Sequence, residues 1–270
     1  MLPRRDFSAW EQIKRLVDLE VEHLTDKEGL GRLAMLGIVQ GQPFEPTPRQ
    51  RAILDKAAKA VFKMSRSVGF SREVSGASYK RYEDRESWWH PMPEATPVNV
   101  HGRFTDDMDW TRNDGGYIDI DARTWFFTDY YSWSPAMVSQ IPGKGAFYQV
   151  GQRDSEGNKL RGDSNYTITL PGHPPATLFW SMTMYEAENG TGYMNDQPFP
   201  SKGLRDKPKV NDDGTITLYV GPDAPGKGLE NNWLQTLPDK GFFLILRVYG
   251  PEADVQNGTW RPSDIVQVQR

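Results

Sequence analysis

The sequence contains no cysteine, and this removes disulfides, thiol nucleophiles and thiolate metal sites from consideration. It leaves the compartment open, since many exported proteins also lack cysteine. Long apolar runs are missing too: no stretch approaches the roughly 18 residues that a membrane span requires. The first twelve residues, MLPRRDFSAWEQ, are charged where a secretory leader needs an apolar centre. As written the chain reads as cytoplasmic, and as periplasmic if it is a piece of a longer exported chain. An excess of basic charge is lacking as well. The formal net charge of the 270 residues is −4. The basic cluster of Lys80, Arg81 and Arg85 is interrupted by Glu83, Asp84 and Glu86, which makes it a solvated face and not a patch that displaces counterions from nucleic acid. No nucleic-acid partner is expected.

Histidine is scarce, with four in the chain: His23, His90, His101 and His173. There is no G-x-S-x-G elbow, so nucleophilic hydrolysis has neither its usual turn nor a choice of bases. His23 falls on the polar side of a helix and His173 in a Pro/Gly turn, and both read as surface residues. His101, in the strand-like VNVHGRF, is the one kept as a substrate-contact candidate, against a structural histidine as the alternative. With no H-x-H and no H-E-x-x-H, zinc or iron would need distant ligands. DDMDWTRNDGG (residues 106–116) offers oxygens at Asp107, Asp109 and Asn113 with the spacing of a calcium loop. Arg112 stands where such a loop needs glycine, however, and no glutamate closes it. It reads as an acidic hairpin loop, and neither a metal nor an organic cofactor is expected.

What is present falls into two compositional parts. SAWE (residues 8–11) has the form of a capping box, and Trp10, Ile13, Leu16, Val17, Val21 and Leu24 follow at helical steps, predicting a helix over 8–24. TPRQ (47–50) repeats the device with Pro48 at the first helical position. Ile53, Leu54, Ala57, Ala58, Val61, Phe62 and Val68 then predict a second helix over 48–68, ended at Gly69. Between them LGRLAMLGIVQGQPFEP (30–46) adds one short helical turn and a Gly/Pro loop. From residue 98 the pattern is β. NYTITL (165–170) and TITLYV (215–220) alternate, while ATLFWSMTMY (176–185) and GFFLILRVYG (241–250) read as strands buried on both faces. Turn signals such as DSEGN, NDDGT and LPDKG separate them. One exception, DARTWFFTDYYSWSPAMVSQI (121–141), predicts a helix broken near Pro135. The expected fold is α+β: a helical segment (1–75), an aromatic and proline-rich connector (76–97), and a jelly-roll-like antiparallel β-sandwich (98–270).

Several motifs in fixed order carry a family resemblance: PGKGAFYQVGQRDSEGNKLRGDSNYTITLP, FWSMTMYE, NDQPFPS, VNDDGTITLYVGPDAPG, NNWLQTLPDKGFFLILRVYGP and GTWRPSDI. Together they resemble domain-of-unknown-function family 1214, over residues 116–265. That family is usually the C-terminal half of longer bacterial proteins whose N-terminal half is family 1254. Residues 36–62 resemble the helical connector that precedes the domain in those proteins. The resemblance implies a helical segment followed by a β-sandwich. It lends no catalytic residues, and the family 1254 half has no counterpart in this sequence.

The chemistry left to the chain is that of carboxylates, tyrosines, arginines and indoles. Arg247, inside the apolar run FFLILRVYG, must meet a carboxylate or a ligand, because an unpaired buried guanidinium is costly. Asp119 and Asp196 are the candidate partners. Two readings follow, a structural ion pair or a pocket where Arg247 holds a polar or anionic molecule. For the pocket, Asp119, Asp196 and Tyr185 are the proton-transfer candidates. Arg247, Trp180, Trp233, Tyr249, Arg123 and His101 are the candidates for substrate contact. The corresponding function is an enzyme acting on a small polar or sugar-like molecule by acid–base chemistry without a cofactor. The alternatives are a non-catalytic module that binds a ligand or partner through its aromatic surface and a purely structural assembly domain. In the connector YEDRESWWHPMPEATPV, Trp88, Trp89 and Met92 read as exposed apolar side chains that must dock either on the chain's own sandwich or on a neighbouring subunit. Since surface that the family 1254 half would have covered is free, a homo-oligomer is the expected assembly.

Overall fold

A carboxylate opens the first helix. In the computed structural model, which describes residues 4–21, 27–69, 73–74, 77–78, 80–89 and 144–269, Asp6 accepts the Ser8 backbone N–H at 2.8 Å and also the Ser8 hydroxyl. Helix α1 (Ser8–Leu19) therefore starts without the capping box expected from SAWE. Ser8 is spent on Asp6, and Glu11 pairs instead with Arg51 at 3.5 Å. The helix ends at Leu19, with Glu20 already extended, short of the expected residue 24. A second helix, α2 (Lys27–Met35), occupies the region expected to hold a single turn. Helix α3 (Pro48–Gly69) spans the expected range, and its capping box forms: Gln50 N–H donates to the Thr47 hydroxyl at 3.3 Å, while the Gln50 side chain accepts Thr47 N–H at 2.9 Å. Residues Met1–Val68 make one compact unit. In it Phe7 stacks on Phe44 with centroids 6.0 Å apart, Trp10 Nε1 donates to the Leu54 carbonyl at 2.8 Å, and Phe7, Val17, Ile38, Leu54 and Ala58 are buried.

The second unit, Gly69–Arg270, begins with the short paired strands β1 (Glu73–Val74) and β2 (Ala77–Ser78). Its body is a β-sandwich, in keeping with the expected α+β class. One sheet has the order β3-β4-β10-β6-β7, with β3 (Trp88–Trp89), β4 (Ala146–Gly151), β6 (Ala176–Glu186), β7 (Ser201–Gly203) and β10 (Phe242–Pro251), all neighbours antiparallel. The other has the order β11-β5-β8-β9, with β5 (Asn165–Leu170), β8 (Ile216–Gly221), β9 (Trp233–Gln235) and β11 (Val266–Val268). There the β8–β9 pair is parallel, a departure from the antiparallel expectation. A short helix α4 (Ala253–Gln256) follows β10.

Alternation of side chains along each strand fixes what lies between the sheets. Tyr166, Ile168, Leu170, Ile216, Leu218, Val220 and Leu234 come from one sheet. Trp180, Met182, Met184, Phe242, Leu244, Leu246 and Val248 come from the other, and all are under 2 % exposed. The run FWSMTMY is thus buried fully on one face only, contrary to the two-faced burial expected of it. Its even-numbered residues fill the core, and its odd-numbered residues Phe179, Ser181, Thr183 and Tyr185 are half-buried on the outer face.

Trp88 and Trp89 do not need a neighbouring subunit. Trp88 is 0 % exposed, pairs with Gly151 across β3–β4 and donates its indole N–H to the Ser263 carbonyl at 2.6 Å. Trp89 is also buried. Of the two docking places expected for the pair, it takes the chain's own sandwich, so the pair itself lends no support to a homo-oligomer. Met92, the acidic loop at 106–116 and the broken helix expected over 121–141 lie outside the described residues.

Candidate functional site

The strand parity that sends Leu244, Leu246 and Val248 inward sends Phe243, Ile245, Arg247 and Tyr249 to the outer face of the five-stranded sheet. Cross-strand register then decides their neighbours. Arg247 lies between Tyr148 on β4 and Ser181 on β6, Ile245 between Val150 and Thr183, and Tyr249 between Ala146 and Phe179. Beyond β6, Ser181 faces Gly203 and Thr183 faces Ser201 on β7. The Thr183 and Ser201 hydroxyls are 3.1 Å apart and share a hydrogen bond. Gly203 is required here, since a Cβ would meet the Trp180 carbonyl oxygen at 2.3 Å. Past Tyr249 the register shifts, and Gly250 takes φ +63° at the bulge.

Arg247 is framed by aromatic groups. Its guanidinium carbon lies 5.7 Å from the Tyr148 ring centroid and 5.5 Å from that of Tyr185, and it donates a hydrogen bond to the Tyr185 hydroxyl. Its Nε is buried with no hydrogen-bond acceptor. Tyr185 stacks on Phe243 with centroids 5.3 Å apart, and Tyr249 stacks on Phe179 at 4.3 Å and meets the edge of Tyr148 at 6.2 Å. Arg205 covers Phe179 at 5.0 Å. Cation–π contacts of this kind contribute roughly 0.5–2 kcal/mol each, whereas a buried donor left without an acceptor costs about 1–3 kcal/mol. The rings therefore hold the guanidinium in place without satisfying it.

The phenols of Tyr148 and Tyr185 are held protonated. Burial, and next to it the Tyr249 hydroxyl, hold the Tyr148 phenol far above its ordinary value, with Arg247 pulling more weakly the other way. Burial likewise raises Tyr185, opposed by the Arg247 charge. At neutral pH Arg247 is a positive charge beside the neutral phenols of Tyr148 and Tyr185, and the groups that act on these two phenols are Arg247 and other tyrosines.

The residues expected to form a site are divided by the fold. Tyr185, Arg247 and Tyr249 come together on this face. Trp180 is a core residue, 1 % exposed, and its indole N–H donates to His173 Nδ1 at 3.1 Å. Trp233 lies on the four-stranded sheet, half-buried, donating to the Gly221 carbonyl at 3.0 Å. Asp196 is exposed in a loop that its two neighbours fasten to the edge strand β9. Asn195 donates to the Gln235 carbonyl at 2.7 Å, and Gln197 donates to the Trp233 carbonyl and accepts Gln235 N–H at 2.9 and 3.0 Å. Among the described residues Arg247 makes no salt bridge, so Asp196 does not serve as the expected partner. Asp119, Arg123 and His101 lie outside the described residues. Sequence reading missed Tyr148, Phe179 and Phe243. Tyr148 was accessible from the strand AFYQVG, but its place beside Arg247 depends on which strands pair.

This face falls within the one region that matches a known family. The family described as "Protein of unknown function (DUF1214)" matches residues 145–253, a narrower span than the motifs implied, and one that leaves out the helical segment. No curated protein matches the chain. Among solved structures, the chain is similar to the VPA0106 protein of Vibrio parahaemolyticus, at 22 % identity and a TM-score of 0.46, with 97 % of this chain and 55 % of that one covered. It is also similar to an uncharacterized protein of Burkholderia cenocepacia, at 13 % identity and a TM-score of 0.35, with 89 % of this chain and 48 % of that one covered. The chain thus spans about half the length of either.

Proposed function

We propose that the outer face of the five-stranded sheet binds a small anionic molecule, with Arg247 as the charged contact and Tyr148, Tyr185 and Tyr249 as its aromatic surround. One observation carries this reading: a half-buried guanidinium is held by ring faces and a phenol in the place of a carboxylate, with its Nε lacking an acceptor. An anion supplies the missing acceptor, and a guanidinium in a partly desolvated setting binds a carboxylate through charge-assisted hydrogen bonds. Binding is favoured over acid–base catalysis because the phenols are held protonated and Asp196 lies in an exposed loop along β9. Neither supplies a base next to Arg247.

The test is a thermal-shift screen of small anions on the wild-type chain and on Arg247→Met, which keeps the aliphatic stem and removes the charge. An anion present at about 100 times its Kd stabilises the folded state by about 2.7 kcal/mol. The wild type should show an upward shift in Tm that the variant lacks. Equal shifts in both proteins, or a variant that loses stability while no anion acts on the wild type, would overturn the reading in favour of a structural arginine. Turnover of any bound anion would restore the catalytic alternative.

A further inference from the structure

The floor next to Arg247 says more about the ligand than its charge. Between Phe179 and Tyr185, the outer face from β6 to the sheet edge carries small side chains: Ser181 beside Arg247, Thr183 beside Ile245, then Ser201 and Gly203 on β7. The three hydroxylated residues are half-buried, and Thr183 and Ser201 already share one hydrogen bond. The strip is bounded along β6 by two aromatic pairs, Tyr185 with Phe243 and Phe179 with Tyr249. Their β10 members are six residues apart, roughly 20 Å at about 3.3 Å per residue. A guanidinium therefore flanks a short strip of hydroxyls with aromatic groups at both ends.

We infer that the molecule bound there is a hydroxylated carboxylic acid of the sugar-acid class, an inference that rests on the anion-binding reading above. A carboxylate meets Arg247 and the neutral phenol of Tyr185. Ring hydroxyls, which both donate and accept, meet Ser181, Thr183 and Ser201, and a C–H face of the ring lies against one of the two aromatic pairs. Each competing class leaves something unpaired. An aromatic acid covers the Ser181 hydroxyl without offering it a partner and adds no hydrogen bond to the Thr183–Ser201 pair, a costly arrangement for a half-buried polar strip. A neutral sugar leaves the guanidinium without its counter-charge. An inorganic phosphate has no C–H face to lay against the aromatic pairs and is bound best by several cations or by the N–H groups of a helix start.

Isothermal titration of the full chain with glucuronate, galacturonate, glucose, benzoate and inorganic phosphate tests the inference, with wild type, Arg247→Met and Thr183→Val compared. A uronate should bind the wild type at least tenfold more tightly than glucose, benzoate or phosphate. Arg247→Met should reduce uronate binding to the level of glucose. Thr183→Val, which preserves shape and removes one hydroxyl, should weaken the uronate about five- to tenfold and leave benzoate unchanged. Benzoate or phosphate binding more tightly than either uronate, in an Arg247-dependent way, would overturn the sugar-acid inference and leave the anion site intact. If none of the probes binds, or if binding survives Arg247→Met, both readings fall.

Discussion

At the scale of single residues, the same aromatic types have opposite uses according to which side of a strand they occupy. Trp88 and Trp180 are core volume, while Tyr148 and Tyr185 are polar contacts to a charge. Trp88 is wholly enclosed and its indole N–H is satisfied by the Ser263 carbonyl, so truncation both opens a cavity and orphans an acceptor. Trp88→Ala should lower the unfolding free energy by about 3–5 kcal/mol in urea titration, with light-scattering mass unchanged. A fall in mass at constant stability would instead show that the pair of tryptophans serves assembly. Gly151, directly opposite, leaves little room for a side chain: a Cβ there would meet Ile265 Cδ1 at 2.8 Å and Trp88 Cζ3 at 3.1 Å, so both neighbours would have to shift.

At the scale of elements, termini and edges decide where the chain stops and what it exposes. Two capping-box sequences occur in the helical unit, and one of them forms. Thr47 and Gln50 bond reciprocally at the start of α3, while Ser8 yields its role to Asp6 two residues earlier. Thr47→Ala should therefore lower the stability of the helical unit by about 1 kcal/mol, read as a lower midpoint in thermal circular dichroism, and Ser8→Ala should have a smaller effect. In the sandwich, the edge strand β9 is closed by a side chain. The Gln197 amide donates to the Trp233 carbonyl and accepts the Gln235 N–H, as a neighbouring strand would. Removing it in Gln197→Ala leaves both backbone groups without that partner. It should cost about 1–3 kcal/mol and speed hydrogen exchange at the Gln235 amide, and unchanged exchange would rule out the edge-closing role.

At the scale of the whole molecule, pH sets the limits of stability through groups that burial or pairing has displaced. Tyr82, Tyr148, Tyr166, Tyr185 and Tyr193 all lie above the ordinary tyrosine value of 10.0, with burial as the leading cause in each. Once pH passes 10.0 the unfolded chain releases phenolic protons that the folded chain retains, so the unfolded state binds fewer protons and stability falls. On the acid side, Glu186 is held below the ordinary value of 4.5, chiefly by its hydrogen bond to Lys240 at 2.7 Å. Its contribution is complete above 4.5 and is lost as pH drops through the lowered value. Urea denaturation across pH should show a plateau bounded by these two losses. Spectrophotometric titration should show tyrosinate appearing late, in step with unfolding, and a smooth titration near 10.0 with the fold intact would contradict the burial argument.

Local patterns determined a good part of this protein. Periodicity and the TPRQ cap specified α3, and alternation with turn signals specified β5 and β8. A continuous apolar run specified β10 without showing that its outer face is largely half-buried, and Arg247 in that run announced that something must meet its charge. Each of these depends on neighbours within a few residues, where spacing is enough to identify a face or a terminus. The capping of α1 was not legible, because the Ser8 hydroxyl is drawn to the Asp6 carboxylate instead of to the helix N–H groups, and only folded geometry settles which partner it takes. Nor was the grouping of the candidate site. Tyr185 and Arg247 are 62 positions apart, and they meet because β6 and β10 pair in one particular register. A change of one residue in that register would send every outer side chain of the strand to the core. Trp180 and Trp233, equally aromatic and equally close to the motifs, were placed elsewhere by strand parity and by the division into two sheets. The ring faces around Arg247 are thus a product of tertiary pairing, for a charge that the sequence had already left in need of a partner.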